Sequence, residues 1–190
     1  MEKKIGIFGG SFDPVHNGHM QLARAAAAEL NLDRIVFLPA RIPPHKNKLY
    51  AGVNQRLAML RMAAGKKTTY RISTYELKRK KTTFTRQSVK HFKNYYKNSK
   101  IYFLIGGDSL AEMGSWAGGY GLLNTCQFVA GLRPGSTIRK KRRKNIVVLR
   151  KSMPNISATG IRKLIKKKKS IAGLVPSNVN SYIKKHKLYE

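Results

Sequence analysis

Two short apolar runs, each ending in a pair of glycines, constrain this chain more than any other feature. Lys4-Ile5-Gly6-Ile7-Phe8 runs into Gly9-Gly10, and Ile101-Tyr102-Phe103-Leu104-Ile105 runs into Gly106-Gly107. Apolar pentapeptides without polar alternation predict strands buried on both faces, and the glycines predict a turn at each carboxyl end. After the first, Asn17 is placed to cap a helix whose body runs from Met20 to Leu30, and Arg34 to Leu38 gives a second buried strand. That is a βαβ unit, and its short connections favour two parallel strands with a right-handed crossover.

The alternation continues. Asn54 to Ala64 reads as a helix stopped by Gly65, Tyr70 to Leu77 as extended chain, and Phe84 to Tyr96 as a helix. A short helix is expected after Asp108, strands at Phe128 to Ala130 and Ile146 to Leu149, and helices at Ser157 to Lys169 and Pro176 to His186. Pro39 to Gly52 and Arg133 to Asn145 read as loops. The fold class is α/β: a single doubly wound, Rossmann-like parallel sheet with helices on both faces and a C-terminal helical segment. At 190 residues and 42% apolar content, one domain spanning 1–190 is expected. Ligands of such sheets bind at the carboxyl ends of the strands, near the reversal of strand order.

The segment Gly9-Gly10-Ser11-Phe12-Asp13-Pro14-Val15-His16-Asn17-Gly18-His19 lies between the first strand and the first helix. Free backbone amides and the helix dipole both favour an anion there. His16 and His19, three apart, can share one helix face, and Gly9, Gly10 and Gly18 let backbone approach a ligand. Imidazoles beside a polyphosphate can donate N–H bonds and hold charge as it builds at phosphorus. Alternatively one histidine caps the helix while the other is a surface residue, or both bind metal. A metal site lacks further ligands nearby, Asp13 excepted. The second constellation, Ile156-Ser157-Ala158-Thr159-Gly160-Ile161-Arg162, also opens a helix. Its hydroxyls, amides and guanidinium could converge on phosphates, or form a plain capped helix with a solvated arginine.

Both segments resemble the paired signatures of the HxGH nucleotidylyltransferase superfamily. Ile42-Pro43-Pro44-His45-Lys46, Ile105-Gly106-Gly107-Asp108 with Trp116, Arg133-Pro134-Gly135 and the ending Val175-Pro176 to Leu188-Tyr189 resemble the bacterial nicotinate-nucleotide adenylyltransferases. The resemblance implies in-line attack of the nicotinate mononucleotide phosphate on the α-phosphorus of ATP, giving deamido-NAD and pyrophosphate without a covalent enzyme intermediate. It implies His16, His19 and Arg162 as catalytic residues, and Gly9, Gly10, Ser11, Phe12, Gly106, Asp108, Ser157 and Thr159 at ATP. It implies Trp116 stacking on the nicotinate ring, with Thr85, His45, Lys46 and Arg133 on the substrate side, and Mg2+ carried by ATP rather than by a protein metal site. Two hydroxyls of the family pattern are missing, at Ala158 and Phe84.

Charge is the unusual feature, with 39 Lys and Arg against 8 Asp and Glu, a net +31. It allows nucleic-acid or membrane binding, attraction of polyanionic small molecules, or drift of a solvated surface toward lysine. The basic residues are dispersed without an arm or repeat, which favours drift and no specific nucleic acid. The rival readings are a basic nucleic-acid-binding protein on the same fold, and an adenylyltransferase for nicotinamide mononucleotide. No apolar run is long enough for a signal peptide or membrane span, so the cytoplasm is the expected location. Cys126 is expected to be a buried structural thiol. Oligomeric state is not fixed by the sequence.

Overall fold

A computed structural model describes residues 2–43, 48–136 and 145–190. Its six strands are β1 (Lys3–Gly10), β2 (Arg34–Pro39), β3 (Tyr70–Ile72), β4 (Ser99–Gly106), β5 (Gln127–Gly131) and β6 (Ile146–Val148). They form one sheet in the order β3-β2-β1-β4-β5-β6, with every neighbouring pair parallel. The chain therefore steps outward from β1 to β3, returns to the centre as β4, and steps outward the other way. The two glycine-ended strands are the central neighbours, with Ile7 registered on Phe103 and Phe8 on Leu104. The switch point lies between their carboxyl ends.

The helices are α1 (Asn17–Leu30), α2 (Val53–Ala64), α3 (Thr85–Tyr95), α4 (Gly107–Glu112), α5 (Ala158–Lys166) and α6 (Ser177–Lys185), with two 3-10 turns after α4. Alternation along the strands divides the core. Phe8, Ile35, Phe37, Tyr102 and Leu104 pack with Leu22 and Ala26 of α1, Leu60 of α2, Ile161 of α5 and Val179 of α6. Ile5, Ile7, Val36, Phe103 and Ile105 face the other way, onto Val89 and Phe92 of α3 and Leu110 of α4. Each such side chain removed from water contributes about 1.5–3 kcal/mol, and the middles of the central strands, Ile5–Phe8, Ile35–Leu38 and Ile101–Ile105, carry no charged residue on either face.

Beyond shifts of a residue or two at element ends, local structure differs from expectation at α1, β3, α5 and Cys126. The cap of α1 is His16, whose Nδ1 accepts from the His19 amide, while Asn17 donates instead to the Gly173 carbonyl at 2.8 Å. Extended chain ends at Ile72 rather than Leu77, because residues 75–78 turn and bury Glu76 against Ser88. Helix α5 stops at Lys166, short of Lys169, in a lysine run that has nothing apolar to bury. Cys126 is half-buried rather than fully buried, and burial pushes its thiol up to about 11, which leaves it protonated and inert.

Candidate functional site

A cavity of about 400 Å³ opens at the switch point. Its floor is the carboxyl ends of β1, β4 and β5, and its sides are the first turns of α1, α4 and α5. Gly9, Gly10, Ser11, His16, His19, Thr85, Gly106, Asp108, Trp116, Arg133, Ser157 and Thr159 all line it. Residues far apart in sequence thus share one wall because parallel strands put all their exits on one edge.

The two histidines form its most specific feature. Their rings stack with centroids 3.6 Å apart and planes 26° apart. The His16 amide donates to His19 Nδ1 at 3.2 Å and the His19 amide to His16 Nδ1 at 3.3 Å. With both Nδ1 atoms accepting, the proton of each neutral ring resides on Nε2, so each imidazole is set as an Nε2–H donor. His16 therefore caps the helix and lines the cavity, two roles the sequence had set against each other. Gly18 makes room for it, since a Cβ there would meet His16 Nδ1 at 3.0 Å.

Phe12 does not face the cavity. It is buried, with its ring centroid 5.0 Å from that of His19, and supports that ring from below. Arg162 is likewise no wall residue. It reaches back from α5 to donate to the Asp13 carbonyl at 2.7 Å and to Thr159 Oγ1 at 3.0 Å, and it covers the Tyr50 ring at 4.3 Å. The structure thus joins the guanidinium to the histidine loop at its rim. Ser157 caps α5 by accepting from the Gly160 amide at 3.0 Å.

On the far side, Arg133 pairs with Asp108 at 3.0 Å and donates to the Ile156 carbonyl at 3.1 Å, tying the exit of β5 to α4 and to the second motif. Trp116 lines the cavity while packing against the apolar cluster under α3, so it is both core and wall. Phe84 caps α3 and is not a wall residue, whereas Ala158 is one. His45 and Lys46 lie outside the described residues, as does the basic stretch from Arg139 to Lys144.

Three residues have roles that the sequence reading did not give them. Glu76 lines the cavity, accepts from Ser88 Oγ at 2.6 Å, and is pushed up to about 7 by burial. Arg56 is wholly buried and donates to the carbonyls of Ser11 at 2.7 Å, Ala40 at 2.8 Å and Ala51 at 3.3 Å, and that burial lowers its pKa. Asp13, beyond its turn, accepts from the amides of Tyr50 and Ala51 and from the Tyr189 hydroxyl. On an amphipathic helix Arg56 reads as one more surface cation, so nothing in the sequence could flag it.

The Cytidylyltransferase-like family model matches residues 7–164. A "probable nicotinate-nucleotide adenylyltransferase" of Clostridium novyi (strain NT) is 37% identical over 99% of this chain and 100% of its own length. The Bacillus licheniformis protein of the same name is 36% identical over 99% of each. In shape, the chain resembles the Plasmodium falciparum nicotinic acid mononucleotide adenylyltransferase complexed with NaAD, with a TM-score of 0.82, 23% identity, and coverage of 98% of this chain and 97% of that one. The same parasite enzyme complexed with APC gives a TM-score of 0.80 at 24% identity, covering the same shares.

Proposed function

Since this chain belongs to the Cytidylyltransferase-like family, with nicotinate-nucleotide adenylyltransferases as its full-length relatives, we propose that it carries out their reaction in the switch-point cavity. It is a nucleotidyltransferase of NAD biosynthesis that adenylates nicotinate mononucleotide with ATP. The observation that carries the site assignment is the stacked histidine pair, whose Nε2–H donors are fixed by backbone at a helix start and a strand exit.

The phosphate of nicotinate mononucleotide is ionised at neutral pH, so no enzyme nucleophile is required. The remaining barrier is alignment and the crowding of negative charge at the α-phosphorus. His16 and His19 donate to the transferring phosphoryl oxygens, and Arg162 supplies charge from the rim. Gly9, Gly10 and Ser11 bring backbone against the nucleotide, Ser157 and Thr159 meet phosphates, and Gly106 with Asp108 sits toward the adenosine ribose. Phe12 serves ATP only indirectly, by supporting His19. Trp116 stacks on the nicotinate ring, with Thr85 and Arg133 beside the nucleotide substrate; His45 and Lys46 are offered as further phosphate contacts.

Mg2+ enters as part of the ATP. Among the described residues no three His, Cys, Asp or Glu side chains converge as a metal site. The ion would be held mainly by phosphate oxygens and water and would offset the triphosphate's charge. Among the described residues no helix is long and apolar enough to cross a membrane, and the cytoplasm is the proposed location.

The test is turnover of Mg-ATP with nicotinate or nicotinamide mononucleotide, measured as pyrophosphate and dinucleotide. The expected result is one pyrophosphate per deamido-NAD and a clear preference for the nicotinate form. Equal turnover of the two would overturn the substrate, and steeply salt-dependent binding of generic nucleic acid without turnover would overturn the class.

A further inference from the structure

Tyr189, the residue before the last, sends its hydroxyl into the first motif. It donates to Asp13 Oδ1 at 2.9 Å, and its ring is buried. The same carboxylate accepts the Tyr50 amide at 2.8 Å and the Ala51 amide at 3.0 Å. Asp13 also offers its carbonyl to Arg162, which rests on the ring of Tyr50. Thr159 apart, the contacts that place the Arg162 guanidinium are therefore made by Asp13 itself or by a residue Asp13 holds.

Backbone conformation marks the same junction. Tyr189 has φ 70 and Phe12 has φ 48, a left-handed geometry that bulky side chains seldom adopt. Tyr189 combines that backbone conformation with a buried ring and a bonded hydroxyl. Burial, and then the negative charge of Asp13, raise the Tyr189 hydroxyl above the ordinary phenol range, so it stays a donor at any working pH.

We propose that Tyr189 is a positioning residue for adenylyl transfer: by anchoring Asp13 it fixes Arg162 at the rim where the ATP phosphates bind. Tyr189 thereby takes part in shaping a site whose first motif lies some 176 positions earlier in the chain. This rests on the adenylyltransferase reading, and wild-type turnover tests that reading before any variant is made.

The experiment is a double-mutant cycle of Tyr189→Phe and Arg162→Ala, with KM for each substrate, kcat and thermal melting recorded. Removing a hydrogen bond to a carboxylate should lower kcat/KM for ATP by about tenfold, with KM for nicotinate mononucleotide changed less than about twofold. In the Arg162→Ala background the same hydroxyl loss should change kcat/KM by less than about twofold, because its effect is transmitted through that guanidinium. A structural role alone would give the same factor in both backgrounds, and that result overturns the proposal. So does wild-type behaviour of Tyr189→Phe, or its failure to fold, which would make the hydroxyl a requirement of the fold.

Discussion

His16 and His19 hold each other: each backbone amide donates to the other ring's Nδ1, and the rings stack at 3.6 Å. The pair is therefore oriented before any ligand arrives, which is how preorganised donors avoid reorganisation during reaction. Such geometry is sensitive to small displacements from beneath.

Gly18 supplies the first prediction. A methyl group there would lie 3.0 Å from His16 Nδ1 and 3.1 Å from its Cε1, so the ring must shift. Gly18→Ala should lower kcat about fivefold, since the ring must give by a few tenths of an ångström and a misplacement of about 1 Å can cost a hundredfold. Circular dichroism should stay as in wild type. A kcat within twofold would mean the ring position is not critical.

Glu76 gives a pH prediction. Burial pushes its folded pKa from 4.5 to about 7, with the Ser88 hydrogen bond opposing. Between those values the folded carboxyl keeps its proton while the unfolded one has lost it, so stability is full below the unfolded pKa and falls as pH rises through the folded one. Glu76→Gln keeps an acceptor for Ser88 and removes the titration. Urea unfolding at pH 5 and pH 8 should find the variant gaining on wild type by about 2 kcal/mol at the higher pH. A difference independent of pH would show that Glu76 is not held neutral.

Trp116 is wall and core together, so its substitution should separate the two substrates. Trp116→Leu should raise KM for nicotinate mononucleotide about tenfold through lost stacking, and change KM for ATP by less than about threefold. Equal rises in both constants would place the indole away from the nicotinate ring.

The central strands, their parallel neighbours and the site at their exits were legible because each is encoded locally: an unbroken apolar run, a glycine pair, a cap three residues before its partner. Tyr70 to Leu77 was not, since its β-branched and aromatic residues suit a strand, while the chain turns at residue 75, where Tyr75 stacks on His91 and Glu76 is buried on Ser88, both of α3. The Arg56 and Tyr189 contacts join residues 45 and 176 positions away, and no periodicity reports such a meeting.

The few acids of this +31 chain are mostly placed against partners. Five of the eight carboxylates have fixed partners: Asp13 as described, Glu29 on the amides of Arg150 and Lys151, Asp33 on that of Lys4, Glu76 on Ser88 and Asp108 on Arg133.

Adenylyl transfer by wild type and His19→Ala under single-turnover conditions, with Mg-ATP and nicotinate mononucleotide, tests the central claim most directly. Wild type should release pyrophosphate and dinucleotide in equal amounts, while the variant, with an unchanged melting temperature, should be slower by about 100-fold or more. A wild type that makes no dinucleotide, or a variant within threefold of it, would contradict the assignment of this cavity.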